Sequence, residues 1–243
     1  MYEFYKWFIA YGDYFQPENK LFTLEHFILS GLNIIMIIIV MLKVDKSEKN
    51  VCNVAKIILG LEIFRMIWWF IYRDQSLRIF RFDICNQVCL FMPFIILFKK
   101  EKLYPFISAC ALLGGIGVMI YPLWVFYDYG GIHLMSVQSM FSHGLMILQI
   151  LLLMKVYKMP KLKEHIKATT IGFIIMISLA FIANTIRGTN YIGLASPDGI
   201  PLLNQIKAPY HVFILVPIIF IGVILVTQVI YFLQNKKINI LNN

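Results

Sequence analysis

Long apolar runs alternate with short polar breaks along the whole chain. The runs fall at about 24–42, 52–72, 82–98, 103–121, 133–154, 168–187 and 211–233. At about 1.5 Å per residue each is long enough, or nearly so, to cross a hydrocarbon layer about 30 Å thick as an α-helix. The third run is the shortest and the most interrupted. The pattern therefore predicts an all-α, polytopic transmembrane helical bundle of about seven spans, forming one domain over 24–234. An N-terminal segment, 1–23, precedes it and a short tail, 235–243, follows. Residues 1–15 mix Glu3, Lys6 and Asp13 with many aromatic residues and lack the clean apolar stretch of a cleavable signal peptide. They read as an interfacial aromatic segment.

Composition sharpens this picture. Hydrophobic residues make up 60 % of the 243 and charged residues 14 %, against about 25 % charged in soluble domains. No stretch is left for a soluble catalytic domain. The net charge of +9 is distributed unevenly. Thirteen cations lie on one side of the spans (Lys43, Lys46, Lys49, Lys99, Lys100, Lys102, Lys155, Lys158, Lys161, Lys163, Lys167, Lys236, Lys237). Seven lie on the other (Lys6, Lys20, Arg73, Arg78, Arg81, Arg187, Lys207). Cytoplasmic loops carry the excess of Lys and Arg, so the N-terminus is expected outside and the C-terminus in the cytoplasm, in a plasma membrane. The charge is then a topology signal and a contact for anionic headgroups. No basic module suited to nucleic acid exists apart from these loops. Membrane phospholipids are the expected partners, and the sequence names no protein partner.

The two longest outer connections differ from the inner ones. Residues 122–132 are dense in aromatics and Gly without Lys or Arg, and 188–210 is rich in Gly, Pro and Asn. Connections of that length in a small domain tend to be lids or pocket walls. No pair of broken helices recurs in the two halves, as it would in a repeat-built transporter.

Polar residues inside apolar runs carry the candidate chemistry, because each is costly in lipid. Glu62 and Arg65, three apart on one helical face, read either as a mutual ion pair or as the lining of a polar pocket. Asp83, Cys85, Asn86 and Gln87 open the third run, with Cys89 one turn below Cys85. All four cysteines (Cys52, Cys85, Cys89, Cys110) lie in or beside apolar runs, which excludes a disulfide scaffold. A single Cys pair without His neighbours makes a poor zinc site, so no metal is expected. Among the histidines, His165 falls in the basic inner loop and is expected in solvent, and His26, His133 and His211 lie at outer ends of runs. His143 lies within the fifth run. It reads either as an interhelical hydrogen-bonding residue or as a general base, the latter if a nucleophile such as Cys85, Ser136, Ser139 or Ser142 faces it. Counted from the outer boundary, Cys85 is roughly 6 Å deep and His143 roughly 10–15 Å, so helix tilt has to bring them level. Asn184 and Arg187 add polar groups at a similar depth.

Four patches carry a family resemblance. They are Phe22-Thr23-Leu24-Glu25-His26, Phe82-Asp83-Ile84-Cys85, Ser142-His143-Gly144, and Gly188-Thr189-Asn190-Tyr191 followed by Leu194, with Gly114-Gly115 and Pro122 between them in order. In these the chain resembles the YwaF-like integral membrane proteins of low-GC bacteria, which are similar to the eukaryotic acyltransferase called transmembrane protein 164. Bacterial relatives often have His two residues before the Cys, where this chain has Asp83. Its negative charge then needs an offset from Arg65, Arg78 or Arg81. The resemblance implies a phospholipid acyltransferase with Cys85 as nucleophile and His143 as general base. Asn190, Tyr191 or Asn86 would donate to the oxyanion, with Glu62, Arg65, His26 and Asn184 around the pocket. No cofactor is implied. Two other readings remain: a non-enzymatic membrane subunit that binds a solute or lipid in transport, and an intramembrane hydrolase that passes the acyl group to water.

Overall fold

The structure, a computed structural model, describes Phe8, residues 22–73, 79–122, Val125, and residues 132–157, 162–197 and 203–241, with the backbone alone at 73 and 235–241. Among these residues all regular structure is helical. Seven α-helices follow in order: α1 (Leu24–Lys43), α2 (Glu48–Arg73), α3 (Ile84–Leu97), α4 (Tyr104–Ile120), α5 (Leu134–Val156), α6 (Leu162–Arg187) and α7 (Val212–Leu241). Single 3-10 turns at Glu101–Leu103 and Tyr191–Gly193 join them. Local chemistry sets the starts. Thr23 accepts from the His26 backbone N–H at 3.4 Å ahead of α1, and His133 Nδ1 accepts from the Met135 N–H at 3.1 Å ahead of α5, so each end gains an acceptor for a free donor. Pro105 stands in the first turn of α4, where its missing N–H costs nothing.

Five of the helices are long and apolar enough to cross a membrane: α1, α4 with its leading turn, α5, α6 and α7. The other two coincide with the second and third expected spans. α2 carries charges within its apolar stretch, and α3, at 14 residues, is about 21 Å long. The helices overrun the apolar runs by a turn or more at three ends, one of them the start of α2 at Glu48. α6 starts at Leu162, because Leu162–Lys167 is a polar but helix-compatible turn, and α7 continues to Leu241 through most of the expected tail. The early start of α6 corrects the placement of His165. It is fully buried rather than solvated, packed against the Tyr231 ring in a layer that also holds the Thr169–Thr227 hydroxyl contact. Most of the N-terminal segment, most of the 122–132 connection and Arg78 lie outside the described residues.

α4 and α5 form the centre of the bundle. Of the most apolar stretch of each helix, 67 % is buried in α5 and 50 % in α4, against 17 % in α1 and 22 % in α7. α5 packs on α1, α2 and α4, while α4 also receives α3, α6 and α7. The outer surface is the reverse of a soluble protein's. Ile34, Ile35, Ile38 and Ile39 on α1, and Ile218, Ile221, Leu225 and Val229 on α7, are exposed, while Asn33, Gln87, Gln138 and Gln149 are buried. That arrangement suits a hydrocarbon solvent.

Between helices the contacts include close packing and side-chain hydrogen bonds to backbone, as expected where apolar burial gives no drive. Asn33 Nδ2 donates to Met140 O at 3.1 Å, joining α1 to α5. Gly144 makes the space, since a Cβ there would collide with the Asn33 amide. Gln138 Nε2 donates to Leu61 O at 3.2 Å, joining α5 to α2. Gln87 Nε2 donates to Met176 O at 3.1 Å, joining α3 to α6.

Candidate functional site

One end of the bundle is hollow. It gathers the C-terminal ends of α2, α4 and α6 and the N-terminal ends of α3, α5 and α7, the end the charge count assigns to the outside. A cavity of about 370 Å³ there is lined by residues of five helices and three connections. Arg65 and Trp69 come from α2; Arg81 and Asp83 precede α3, which adds Ile84, Cys85 and Asn86. Val118, on α4, and Val125 form one apolar wall, and Leu215 and Ile219 of α7 another. Met135, Gln138, Ser139 and His143 come from α5, and Asn190, Ile192 and Gly193 from the connection after α6. Its size falls in the range of small-molecule sites.

Cys85 and His143 therefore line the same cavity, and the depth mismatch expected between them disappears. α3 does not start at the rim. Residues 79–83 descend without helical structure, so the first turn of α3 begins inside the bundle. Cys85 there lies against Gly114 of α4, next in sequence to the Gly115 that faces the His143 carbonyl. A Cβ at Gly114 would stand 2.7 Å from Cys85 Sγ, and one at Gly115 would stand 3.0 Å from the His143 carbonyl. The Gly114-Gly115 pair thus lets α4 sit against the Cys on one side and the His helix on the other.

The imidazole is oriented by its own helix. Its Nδ1 lies 2.7 Å from Ser139 O. A carbonyl only accepts, so Nδ1 carries the proton and the neutral ring has its lone pair on Nε2. Nε2 is buried and has no hydrogen-bond partner among the described residues. This tautomer is the one a general base requires, with a backbone carbonyl where serine hydrolases use a carboxylate.

The first turn of α3 supplies donors. Asp83 is its N-cap by backbone conformation, but its carboxylate makes no cap hydrogen bond. The first intrahelical bond runs from Gln87 N to Asp83 O at 3.0 Å, so the N–H groups of Ile84, Cys85 and Asn86 have no helical acceptor. A helix N-terminus with free N–H groups favours an anion. Asp83 instead turns to Arg81, at 3.0 Å from Nη2 and 3.1 Å from Nε. It also accepts from Asn86 Nδ2 at 3.3 Å and from Ile192 N at 3.4 Å. Among the described residues Arg81 is thus the cation paired with Asp83, and it also stacks over Trp69 at 5.4 Å.

Glu62 and Arg65 form the expected ion pair, and of the two only Arg65 is among the residues that line the cavity. Arg65 holds Glu62 with Nε at 2.9 Å and Nη2 at 2.5 Å, and it also lines the cavity. Its Nη2 donates as well to Ile79 O at 3.2 Å.

The remaining expected site residues shape the cavity rather than bring free polar groups to it. His26 Nε2 donates to Met119 O at 2.8 Å, beside Val118, and fixes α1 to the end of α4. Asn184 holds the 188–194 turn through Tyr191, accepting from its N–H at 2.7 Å and donating to its carbonyl at 3.1 Å. Asn190 is committed within that connection, accepting from Ala195 N and Ser196 N at 2.9 and 3.0 Å and donating to Ser196 O at 2.9 Å. Tyr191 is buried against Phe82. His211 Nε2 donates to Gly193 O at 2.8 Å, so the connection is pinned over the cavity at both ends. Sequence reasoning passed over Trp69, Gln138 and the α7 wall of Leu215 and Ile219. Gln138 carried a legible signal as a polar residue in an apolar run, but the α7 residues carried none.

The model of the TMEM164 family matches residues 14–227, nearly the whole chain. No curated protein and no solved structure matches it.

Proposed function

The chain belongs to the TMEM164 family, an integral membrane protein by its apolar helices, and from that footing we propose that it is a lipid acyltransferase working through a Cys85 thioester. The observation that carries the reading is the meeting of Cys85 and His143, from separate helices, on one cavity with a glycine pair fitted between their helices.

The chemistry follows from the groups present. His143 Nε2 takes the proton of the Cys85 thiol, and sulfur attacks the carbonyl carbon of a glycerophospholipid ester. The negative charge that develops on the carbonyl oxygen falls beside the N–H groups of the first α3 turn and the Asn86 amide. Collapse of the tetrahedral intermediate breaks the carbon–oxygen bond. The lysophospholipid leaves with the proton returned by His143, and the acyl chain stays on Cys85 as a thioester. An acceptor hydroxyl on a second lipid then gives its proton to His143 and attacks the thioester, restoring the thiol. Ser139 O holds the imidazole tautomer through both steps. The Val118, Val125, Leu215 and Ile219 walls suit the start of an acyl chain. Seven spans with the N-terminus outside would place this chemistry in the outer leaflet.

The test is transfer of a labelled acyl chain from phospholipid donor to lysophospholipid acceptor by the purified protein. Wild type is expected to make the new diacyl lipid and Cys85→Ala and His143→Ala are not. Release of free fatty acid alone would assign the site to a hydrolase. Equal transfer by wild type and Cys85→Ala would end the proposal.

A further inference from the structure

Arg65 has more donors than its partners use. Its Nε and Nη2 are taken by Glu62 and Ile79 O, which lock the guanidinium plane. Nη1, with two N–H groups, is buried without a hydrogen-bond partner among the described residues, on a side chain only 9 % exposed. A buried, charged donor left unpaired is expensive, and beside a cavity such a group is explained by a ligand that satisfies it. Arg65 lines the same cavity as Cys85 and His143.

Position agrees with a role toward the same substrate. On α2, Trp68 packs against His133 at the start of α5 and Leu61 O accepts from Gln138, so Arg65, between them, stands beside the cavity-lining first turns of α5. In a glycerophospholipid the phosphate is only a few bonds from the reacting ester. Guanidinium is the side chain best matched to phosphate oxygens.

We infer that Arg65 is the phosphate anchor of the cavity, its Nη1 binding a phosphodiester oxygen and so setting which ester reaches Cys85. Glu62 is then a positioning residue that holds Arg65 rather than a group in the reaction. The inference rests on the lipid reading of the site but not on the thioester chemistry. It predicts selection of phospholipid over a diacylglycerol of identical chains, since the latter leaves Nη1 unpaired.

The experiment is native mass spectrometry of the full chain carrying Cys85→Ala, which removes turnover, in detergent micelles. The probes are phosphatidylcholine, the diacylglycerol with the same chains, and inorganic phosphate as competitor. Phosphatidylcholine is expected to bind about tenfold more tightly than the diacylglycerol. Adding Arg65→Lys, which keeps a cation for Glu62 but loses the second terminal nitrogen, is expected to remove most of that preference while diacylglycerol binding stays within about twofold. Equal affinity for the two lipids in the Cys85→Ala protein overturns the inference whatever the Arg65 variant does, and so does an undiminished preference in Arg65→Lys. Displacement of phosphatidylcholine by inorganic phosphate alone would assign the anchor to free phosphate instead of a headgroup. Retained preference alongside failed acyl transfer would leave the anchor standing and remove the acyltransferase.

Discussion

The two halves of α5 show what separates a site from a core in this fold. From Leu145 to Leu153 the helix is apolar apart from Gln149, and Met146, Leu148, Ile150, Leu152 and Leu153 are fully enclosed by the neighbouring helices. From Met135 to His143 the same helix carries Ser136, Gln138, Ser139, Ser142 and His143 and borders the cavity. Both halves are buried, so burial does not mark the site. The difference lies in the partners. The apolar half is enclosed by side chains of α3 and α4, whereas at the other end α3 starts late and the polar side chains of α5 border the cavity. His165 makes the same point, being buried more completely than His143 but packed against the Tyr231 ring and away from the cavity.

On that contrast, substitutions at the site and in the packed half separate into losses of rate and losses of stability. The largest effect belongs to the sulfur itself. Cys85→Ala is expected to lower acyl transfer about a thousandfold or more, while Cys89→Ala, one turn deeper against Met146 Sδ at 3.4 Å, keeps wild-type turnover per folded molecule. Labelled-lipid turnover on the two purified variants measures both. Next comes Gly114→Ala. Its new Cβ forces Cys85 Sγ to move, and a displacement of that kind is expected to reduce the rate about ten- to a hundredfold. Gly117→Ala on the same helix meets nothing within 4 Å and is expected to leave the rate unchanged in a matched kinetic series.

In the packed half the effect falls on stability. Leu152→Ala is expected to cost about 2–5 kcal/mol, read as a lower melting temperature in detergent, with the rate per folded molecule preserved. Smallest of all is the surface pair of Lys99 Nζ and Glu48 Oε1 at 2.5 Å, both well exposed. Glu48→Gln is expected to change neither melting temperature nor turnover measurably, because solvent and salt screen such a pair. It serves as the baseline for the other three.

Much of the fold was legible because lipid tolerates so few arrangements. Apolar runs located all seven helices, and they misjudged ends only where polar residues continue a helix, as at Leu162 and beyond Gln234. The site was legible in part. Cys85 and His143 stood out as reactive groups in apolar runs, and Arg81 was among the cations expected to offset Asp83. Residue counting put the pair at different depths because it cannot see that α3 starts inside the bundle. Nor can it see that Asn190 uses its amide within its own turn. Gly114-Gly115 was visible only as a motif, and its meaning as the space between thiol and imidazole helices needed the packing.

The central claim is that Cys85 carries the acyl chain. Intact-protein mass spectrometry after incubation with a labelled phospholipid mixture, with and without neutral hydroxylamine, tests it most directly. The account predicts one acyl adduct per chain on the wild-type protein, labile to hydroxylamine, absent from Cys85→Ala and strongly reduced in His143→Ala. An adduct that persists in Cys85→Ala, or lipid turnover with no adduct at any time, would contradict it.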